Sequence, residues 1–265
     1  LPGVEVVPIQ TLLDVTDLIE FFQRRESVSG VQRVIAETAP LLLAADPYLL
    51  AVILDRPRGV FVALTRVEVA KFFGAAGSAN REAQANDAST CLARATTAPP
   101  VRIDANSVLA FLGAVWINDA LMLAARDAHA MGAKLVYLLY DLTPVLETGH
   151  TAAVNRLFER YLNLVIDTAS IVPAISQSSR NDFISYASAH GAWAPVGSVT
   201  GLPCGITPGR YDTSVRPWPR PYALFVGTVE ARKNHVLAFN TWRQLIDKHG
   251  ADGVPDLVCI GRLGW

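Results

Sequence analysis

Two cations, Arg232 and Lys233, follow an apolar run and a glycine in the stretch PYALFVGTVEARKN, Pro221 to Asn234. Arg presents a planar fork of donors that can meet two oxygens at once, and Lys is a compact point charge, so the pair suits a phosphate. The residues around them say how they are held. Tyr222 to Val226 is a strand-forming run closed by Gly227 and Thr228. Val236, Leu237, Phe239, Trp242, Leu245 and Ile246 then recur at helical spacing. The pattern predicts strand, glycine turn and helix, with both cations near the first helical turn. Bare N–H groups and a partial positive charge at a helix N-terminus favour an anion there. The plain alternative is a solvated helix start in which Glu230 pairs with either cation.

A second set of candidates comes from strand ends. Ser107 to Trp116 reads as a buried strand running into a glycine. A helix follows to about Met131, capped by Asp119 and closed by Gly132. Lys134 to Tyr140, KLVYLLY, is the most strand-like run, and it delivers Asp141-Leu142-Thr143-Pro144. Strand, helix, strand at this spacing predicts a βαβ unit in a parallel sheet, whose ligands gather at the carboxyl ends of strands. Trp116 and Asp141 both lie just past such ends. Asp141 is equally suited to an Asx turn before Thr143-Pro144.

The remaining segments frame these sites. Gln10 to Leu18 starts as a strand and ends in the turn and cap residues Asp14, Thr16 and Asp17. Ser29 to Leu43 has helical spacing, with Ser29 as cap, Gly30 at its start, and Pro40 expected to kink or end it. Tyr48 to Leu54 and Gly59 to Thr65 read as strands joined by the turn DRPRG. Gly74 to Pro100, rich in small polar residues, reads as a mobile excursion with a helix around Asn80 to Arg94. A helix over Val154 to Ile166, a strand over Ser170 to Ile175, a helix capped by Ser178 or Ser179, and a strand over Val199 to Leu202 follow. Gly209 to Pro221 is proline-rich and reads as a linker. The fold class is therefore α/β. Residues 1–215 are expected to form a Rossmann-like domain, and residues 216–265 to open a second one.

Composition narrows the function classes. With 265 residues, 51% hydrophobic and 18% charged, the chain has ample core-forming residues for one large domain or two. A net charge of −1 advertises neither nucleic acid nor anionic lipid. Cys91, Cys204 and Cys259 lie far apart, so no disulfide framework or zinc site is expected, and a reducing compartment fits. No signal peptide or membrane span is expected, because the apolar stretches are interrupted well short of about twenty residues. No GxSxG elbow, P-loop or GxGxxG is present.

The string FVGTVEARKN, with CIGRLGW (Cys259 to Trp265) beyond it, resembles the opening of the C-terminal domain in retaining glycosyltransferases of family 4. Those enzymes have the GT-B fold and read close to "VGT-x-EPRKN"; here Ala231 stands at the usual proline. Asp14-Val15-Thr16 with Ser29-Gly30-Val31-Gln32-Arg33-Val34 is similar to a subgroup's "D-x-S/T" and "(S/T)-G-I/V-x-R-V". The subgroup's "lG-x-x-W" and "DLIP" are matched at Trp116 and Asp141, and its "S-x-x-S-x-x-D" beginning at Ser176. Many members have His where Tyr140 stands, which puts an imidazole contact to the donor sugar in doubt.

The resemblance implies transfer of a sugar, mannose-like, from a nucleotide-diphosphate donor to a glycan or lipid-linked acceptor, with retention. Gly227, Thr228, Arg232 and Lys233 would hold the donor diphosphate. Asp141 would be catalytic, and Gly30, Arg33, Trp116 and Ser176 would face the acceptor. No metal or other cofactor is implied, and no nucleic-acid partner. The location would be cytoplasmic, with peripheral contact at the inner membrane face allowed. The family's paired-glutamate motif is expected downstream of Trp265, which would make this chain part of a longer protein. The rival expectation is a non-catalytic GT-B-shaped protein that binds glycans or acts as a scaffold.

Overall fold

In a computed structural model the chain is described over residues 8–24, 30–76, 81–147, 150–202 and 217–263. Its contacts divide it into two units, Leu1–Val145 with Ala153–Cys204, and Leu146–Ala152 with Gly205–Trp265. The expected domain boundary at residue 215 lies outside the described residues.

Up to residue 199 the order is β1 (Gln10–Asp14), α1 (Thr16–Gln23), α2 (Gly30–Ala45), β2 (Leu50–Asp55), β3 (Val60–Ala63), α3 (Arg66–Ala76), α4 (Arg81–Ala95), β4 (Ser107–Phe111), α5 (Asp119–Ala130), β5 (Lys134–Tyr137), α6 (Thr143–Leu146), α7 (Ala152–Thr168), β6 (Ala169–Ala174), α8 (Gln177–Ala189) and β7 (Val196–Val199). The strands form one seven-stranded sheet in the order β3-β2-β1-β4-β5-β6-β7. Only β3 runs antiparallel, joined to β2 by the DRPRG hairpin. Gly59 closes that turn at φ +66, with its N–H on the Asp55 carbonyl at 2.8 Å.

Alternation along the strands builds two cores. Leu12, Val52 and Leu54 face one side, with Leu121, Phe158, Leu162 and Phe183 from α5, α7 and α8. Leu13, Ala51 and Ile53 face the other, with Leu18, Ile35, Phe72 and Cys91 from α1 to α4. Helices on both faces of a mostly parallel sheet make this an α/β, Rossmann-like arrangement. The chain winds one way from β1 and the other way from β4, and these two strands are neighbours. Their carboxyl ends are therefore the switch point where such sheets hold ligands.

Several expectations are corrected. Pro40 neither ends nor breaks α2, which runs on to Ala45. The missing N–H costs one backbone bond, but Ile35 and Ala39 are fully buried beside it, and packing outweighs the loss. Over its described residues the Gly74–Pro100 excursion is no loose loop. α3 was not foreseen, and α4, close to the helix expected around Asn80 to Arg94, packs on α1, with Ala88, Cys91 and Ala95 buried in the same core as Leu18 and Phe22. Asn118, not Asp119, caps α5, its Oδ1 accepting from the Leu121 N–H at 3.1 Å. Ser176, not Ser178 or Ser179, caps α8, its Oγ accepting from the Ser179 N–H at 3.1 Å. In both cases the capping residue has extended backbone angles that aim its side chain at the helix start. Ser29 lies outside the described residues. β7 ends where the last strand was expected to begin.

The second unit contains β8 (Tyr222–Val226), α9 (His235–His249) and β9 (Asp256–Ile260). β8 and β9 pair in parallel. Leu224 and Val226 register with Val258 and Ile260, on the face opposite Phe225, whose ring stacks on His235 at 4.3 Å. Leu224, Val226 and Ile260 are exposed, as are Val236, Leu237 and Phe239 on α9. Among the described residues no helix is long and apolar enough to cross a membrane.

The capping assignment is testable by urea denaturation. Asn118→Ala should lower the unfolding free energy by about 1 kcal/mol, the usual worth of an N-cap. Asp119→Ala should cost less, because its partner Arg160 and Asp119 itself are both solvent-exposed.

Candidate functional site

The strand-turn-helix around Gly227 is built by two glycines. The Gly227 N–H donates to the Ile260 carbonyl at 3.0 Å, and the Val229 N–H to the Arg262 carbonyl at 2.7 Å. These bonds carry the pairing of β8 and β9 past their ends. A Cβ on Gly261 would stand 1.8 Å from the Gly227 carbonyl oxygen, so only glycine fits there. The backbone is thereby bare at the ends of both strands.

The cations lie just before the first turn of α9, at the exit of the glycine turn. Ala231–Lys233 form a single 3₁₀ turn, and Asn234 then takes a left-handed conformation at φ 54. Asn tolerates this better than most residues. Its Oδ1 accepts from the Leu237 N–H at 3.2 Å, so α9 begins at His235, beyond both cations. Arg232 donates to Glu230 at 2.7 Å, the pairing that the plain alternative allowed. The Lys233 stem lies over Gly227, its Cγ and Cδ 4.0 Å from where a Cβ on Gly227 would be. Thr228 is exposed. Neither ring nitrogen of His235 has a hydrogen-bond partner, although both are buried. The arrangement offers an anion one ammonium, one paired guanidinium, bare glycine backbone and a helix start.

In the first unit, Trp116, Tyr140, Asp141, Pro144, Phe158 and Val31 line a pocket of about 90 Å³. The structure thus brings together Trp116, Asp141 and the start of α2, where Gly30 sits. Trp116 is held by Phe158 and Tyr161, each with its ring centre 5.4 Å away. Asp141 is exposed, and its Oδ1 accepts from the Thr143 N–H at 3.0 Å, the Asx turn read from the sequence. Ser176 reaches this group indirectly, since it bonds Ser179, whose hydroxyl donates to the Tyr140 carbonyl at 2.6 Å. Arg33 points from an exposed position of α2. A side chain at Gly30 would meet open space, so packing does not demand glycine there. The Tyr140 hydroxyl is committed to the Leu112 carbonyl at 2.7 Å, and burial drives its pKa upward. It is a positioned phenol and no acid–base group near neutral pH.

Sequence reasoning missed the groups at the switch point. Asp14, Thr16 and Asp17 were read as turn and cap residues, but α1 has no side-chain cap. Instead the Asp17 carboxylate accepts from Gln32 Nε2 at 2.8 Å and from the Ala114 N–H at 2.9 Å. Gly113 makes room for it: a Cβ there would stand 2.9 Å from Asp17 Cβ and 3.0 Å from Ile35 Cδ1. Asp14 Oδ1 accepts from the Thr16 hydroxyl, which accepts from the Leu54 N–H at 2.8 Å. Asp14 Oδ2 is buried with no partner. Burial, only partly offset by Thr16, pushes the Asp14 carboxyl up from 3.8 to about 7, and burial raises Asp17 as well. Two acids within four residues of a strand end were the available signal.

Among the described residues, no three His, Cys, Asp or Glu side chains are grouped to hold a metal. Cys91 is buried, which pushes its thiol up to about 11. Comparison with known proteins finds no family model, no curated protein and no solved structure that matches the chain.

Two measurements test the switch point. A carboxyl with a raised folded pKa keeps its proton in the fold after the unfolded chain has lost it. Asp14 therefore destabilises the fold progressively from about pH 4 to about pH 7, and by a constant amount above that. The full effect is on the order of 4 kcal/mol at about 1.4 kcal/mol per pH unit. Asp14→Asn should flatten the fall of the urea midpoint across that window. Gly113→Ala should cost about 1–3 kcal/mol through overpacking against Asp17 and Ile35.

Proposed function

We propose that this chain is part of a retaining glycosyltransferase of GT-B architecture. It would move a sugar, mannose-like, from a nucleotide-diphosphate donor to a glycan or lipid-linked acceptor. The observation that carries the reading is the bare-backbone turn at Gly227 and Gly261 with the Lys233 stem lying across it. A departing diphosphate gains negative charge as the sugar–oxygen bond breaks. Lys233, Arg232, the Thr228 hydroxyl and the start of α9 would stabilise that charge as fixed positive groups, which need little reorganisation during reaction. On the first unit, Asp141 would take a hydrogen bond from the acceptor hydroxyl, with Trp116 beside it as a flat apolar platform and Gly30 and Arg33 on the adjacent helix start. Ser176 would act at one remove, through Ser179 and the Tyr140 backbone. The protein's own cations do the electrostatic work, so the reading calls for no metal.

One observation favours the rival, a non-catalytic glycan-binding or scaffold protein of the same shape. Tyr140 stands at the position where many relatives of that family carry His, and its hydroxyl is spent on Leu112.

Release of GDP or UDP from the corresponding sugar donors separates the two. Lys233→Ala should cut the rate at least about tenfold, or 1.4 kcal/mol of transition-state stabilisation. Equal rates in wild type and variant would remove the donor-site assignment. Saccharide binding without any turnover would favour the rival.

A further inference from the structure

A cavity of about 670 Å³ opens at the edge of the large sheet opposite the switch point. That is within the ~300–1,000 Å³ range of small-molecule sites. Leu50 at the start of β2 and Leu64 just past β3 line it from the sheet. Leu43 of α2, and Val69 and Phe73 of α3, line it from the two helices. Of all its lining residues only Arg66 is polar or charged. Water inside such a wall finds few partners. The apolar surface continues outside, where Leu41, Tyr48 and Val67, each next in the chain to a lining residue, are 70%, 82% and 76% exposed.

The charges around the cavity can be placed one by one. Arg66 donates to the Pro47 carbonyl at 3.2 Å and, among the described residues, has no carboxylate partner. Glu68 accepts from the Thr65 N–H at 2.7 Å and pairs with Arg94, and Asp87 pairs with Lys71 at 2.6 Å. Asp46 accepts from the Tyr48 N–H at 2.8 Å, and Glu37 is exposed one turn before Pro40 on α2. None of these other groups lines the cavity. An occupant therefore meets hydrocarbon on nearly every side and one guanidinium.

That combination excludes several ligand classes. A sugar or nucleotide needs many fixed donors and acceptors, and a metal ion needs carboxylates; the lining has neither. The apolar side chains of a second copy would leave the guanidinium unmatched. A hydrocarbon tail fills the cavity, and an anionic oxygen at its head would take the free N–H groups of Arg66. We propose that this cavity binds a single-chain amphiphile with an anionic head, its tail among Leu43, Leu50, Val69 and Phe73. The proposal goes beyond the glycosyltransferase reading and does not rest on it, since Asp141 follows the carboxyl end of β5, at the other edge of the sheet.

The test is a titration of the ¹⁵N-labelled 265-residue chain with hexanoate, octanoate and decanoate, each below its micelle concentration, followed by amide NMR. Shifts should centre on residues 40–51 and 64–74. Affinity should rise about fourfold per methylene, the worth of burying about 0.8 kcal/mol of CH₂ each time. Ala70→Trp, at an exposed lining position, should abolish binding by filling the cavity without disturbing the core. Arg66→Gln should weaken decanoate about fivefold, as one lost hydrogen bond would, and leave octanol binding unchanged. Affinity independent of chain length, or equal binding in the filled variant, would overturn the proposal. So would decyltrimethylammonium binding as tightly as decanoate, or a concentration-dependent dimer that Ala70→Trp breaks.

Discussion

The carboxyl edge of the large sheet depends on where Asp17 can put its negative charge. Its carboxylate lies almost entirely out of water and survives there because a side-chain amide of α2 and a backbone N–H after β4 both point at it. Two neighbouring helices and a turn nearly a hundred residues further on are thus fixed to one atom. The glycine beside it is part of the same constraint, since any side chain at 113 would drive the carboxylate out. Buried acids of this kind are worth little as sources of stability and much as determinants of geometry. Here the geometry fixed is that of the switch point, where α1, the start of α2 and the turn after β4 meet.

Asp14 extends that logic to the next strand. Through Thr16 it secures the end of β2, from which Asp55 and Arg56 project. The polar ladder then continues outward through Arg58 to the last turn of α4. A region that looks featureless in sequence, the small-residue stretch of α4, is what allows this. Its alanines and Cys91 let the helix approach α1 closely, and the closeness brings the α4 carbonyls within reach of Arg58.

The legible parts of the fold were those set by long apolar runs. Tyr222–Val226 was read to the residue, and the parallel sheet followed from the strand-helix-strand rhythm around β4 and β5. The misread parts were decided by tertiary contact. α3 was missed; α4 was expected close to its actual span, but its packing was not, because alanine and serine bury little surface each and signal little by type. Asp119 and Asn118 are both good caps by composition, and only the backbone angle at 118 decides between them. The cations at 232 and 233 were expected near the first helical turn, but nothing in residue type announces the separate 3₁₀ turn that carries them or the left-handed Asn234 that divides it from α9. Of the candidate site, Trp116 and Asp141 were found from strand ends. Asp14 and Asp17 were not, since a carboxylate near a turn looks the same whether it faces solvent or a core.

The pairing of β8 with β9 has a consequence for handling the molecule. Among the described residues this ribbon has no neighbouring strand on either side, so a row of backbone donors and acceptors is left open along each margin. Leu224, Val226 and Ile260 make the adjoining surface greasy as well. Such a combination templates the addition of further strands. Wherever that ribbon is left bare, concentrated solutions of the protein would be prone to polymerise through it, and a charged substitution on its apolar face would be the remedy of choice.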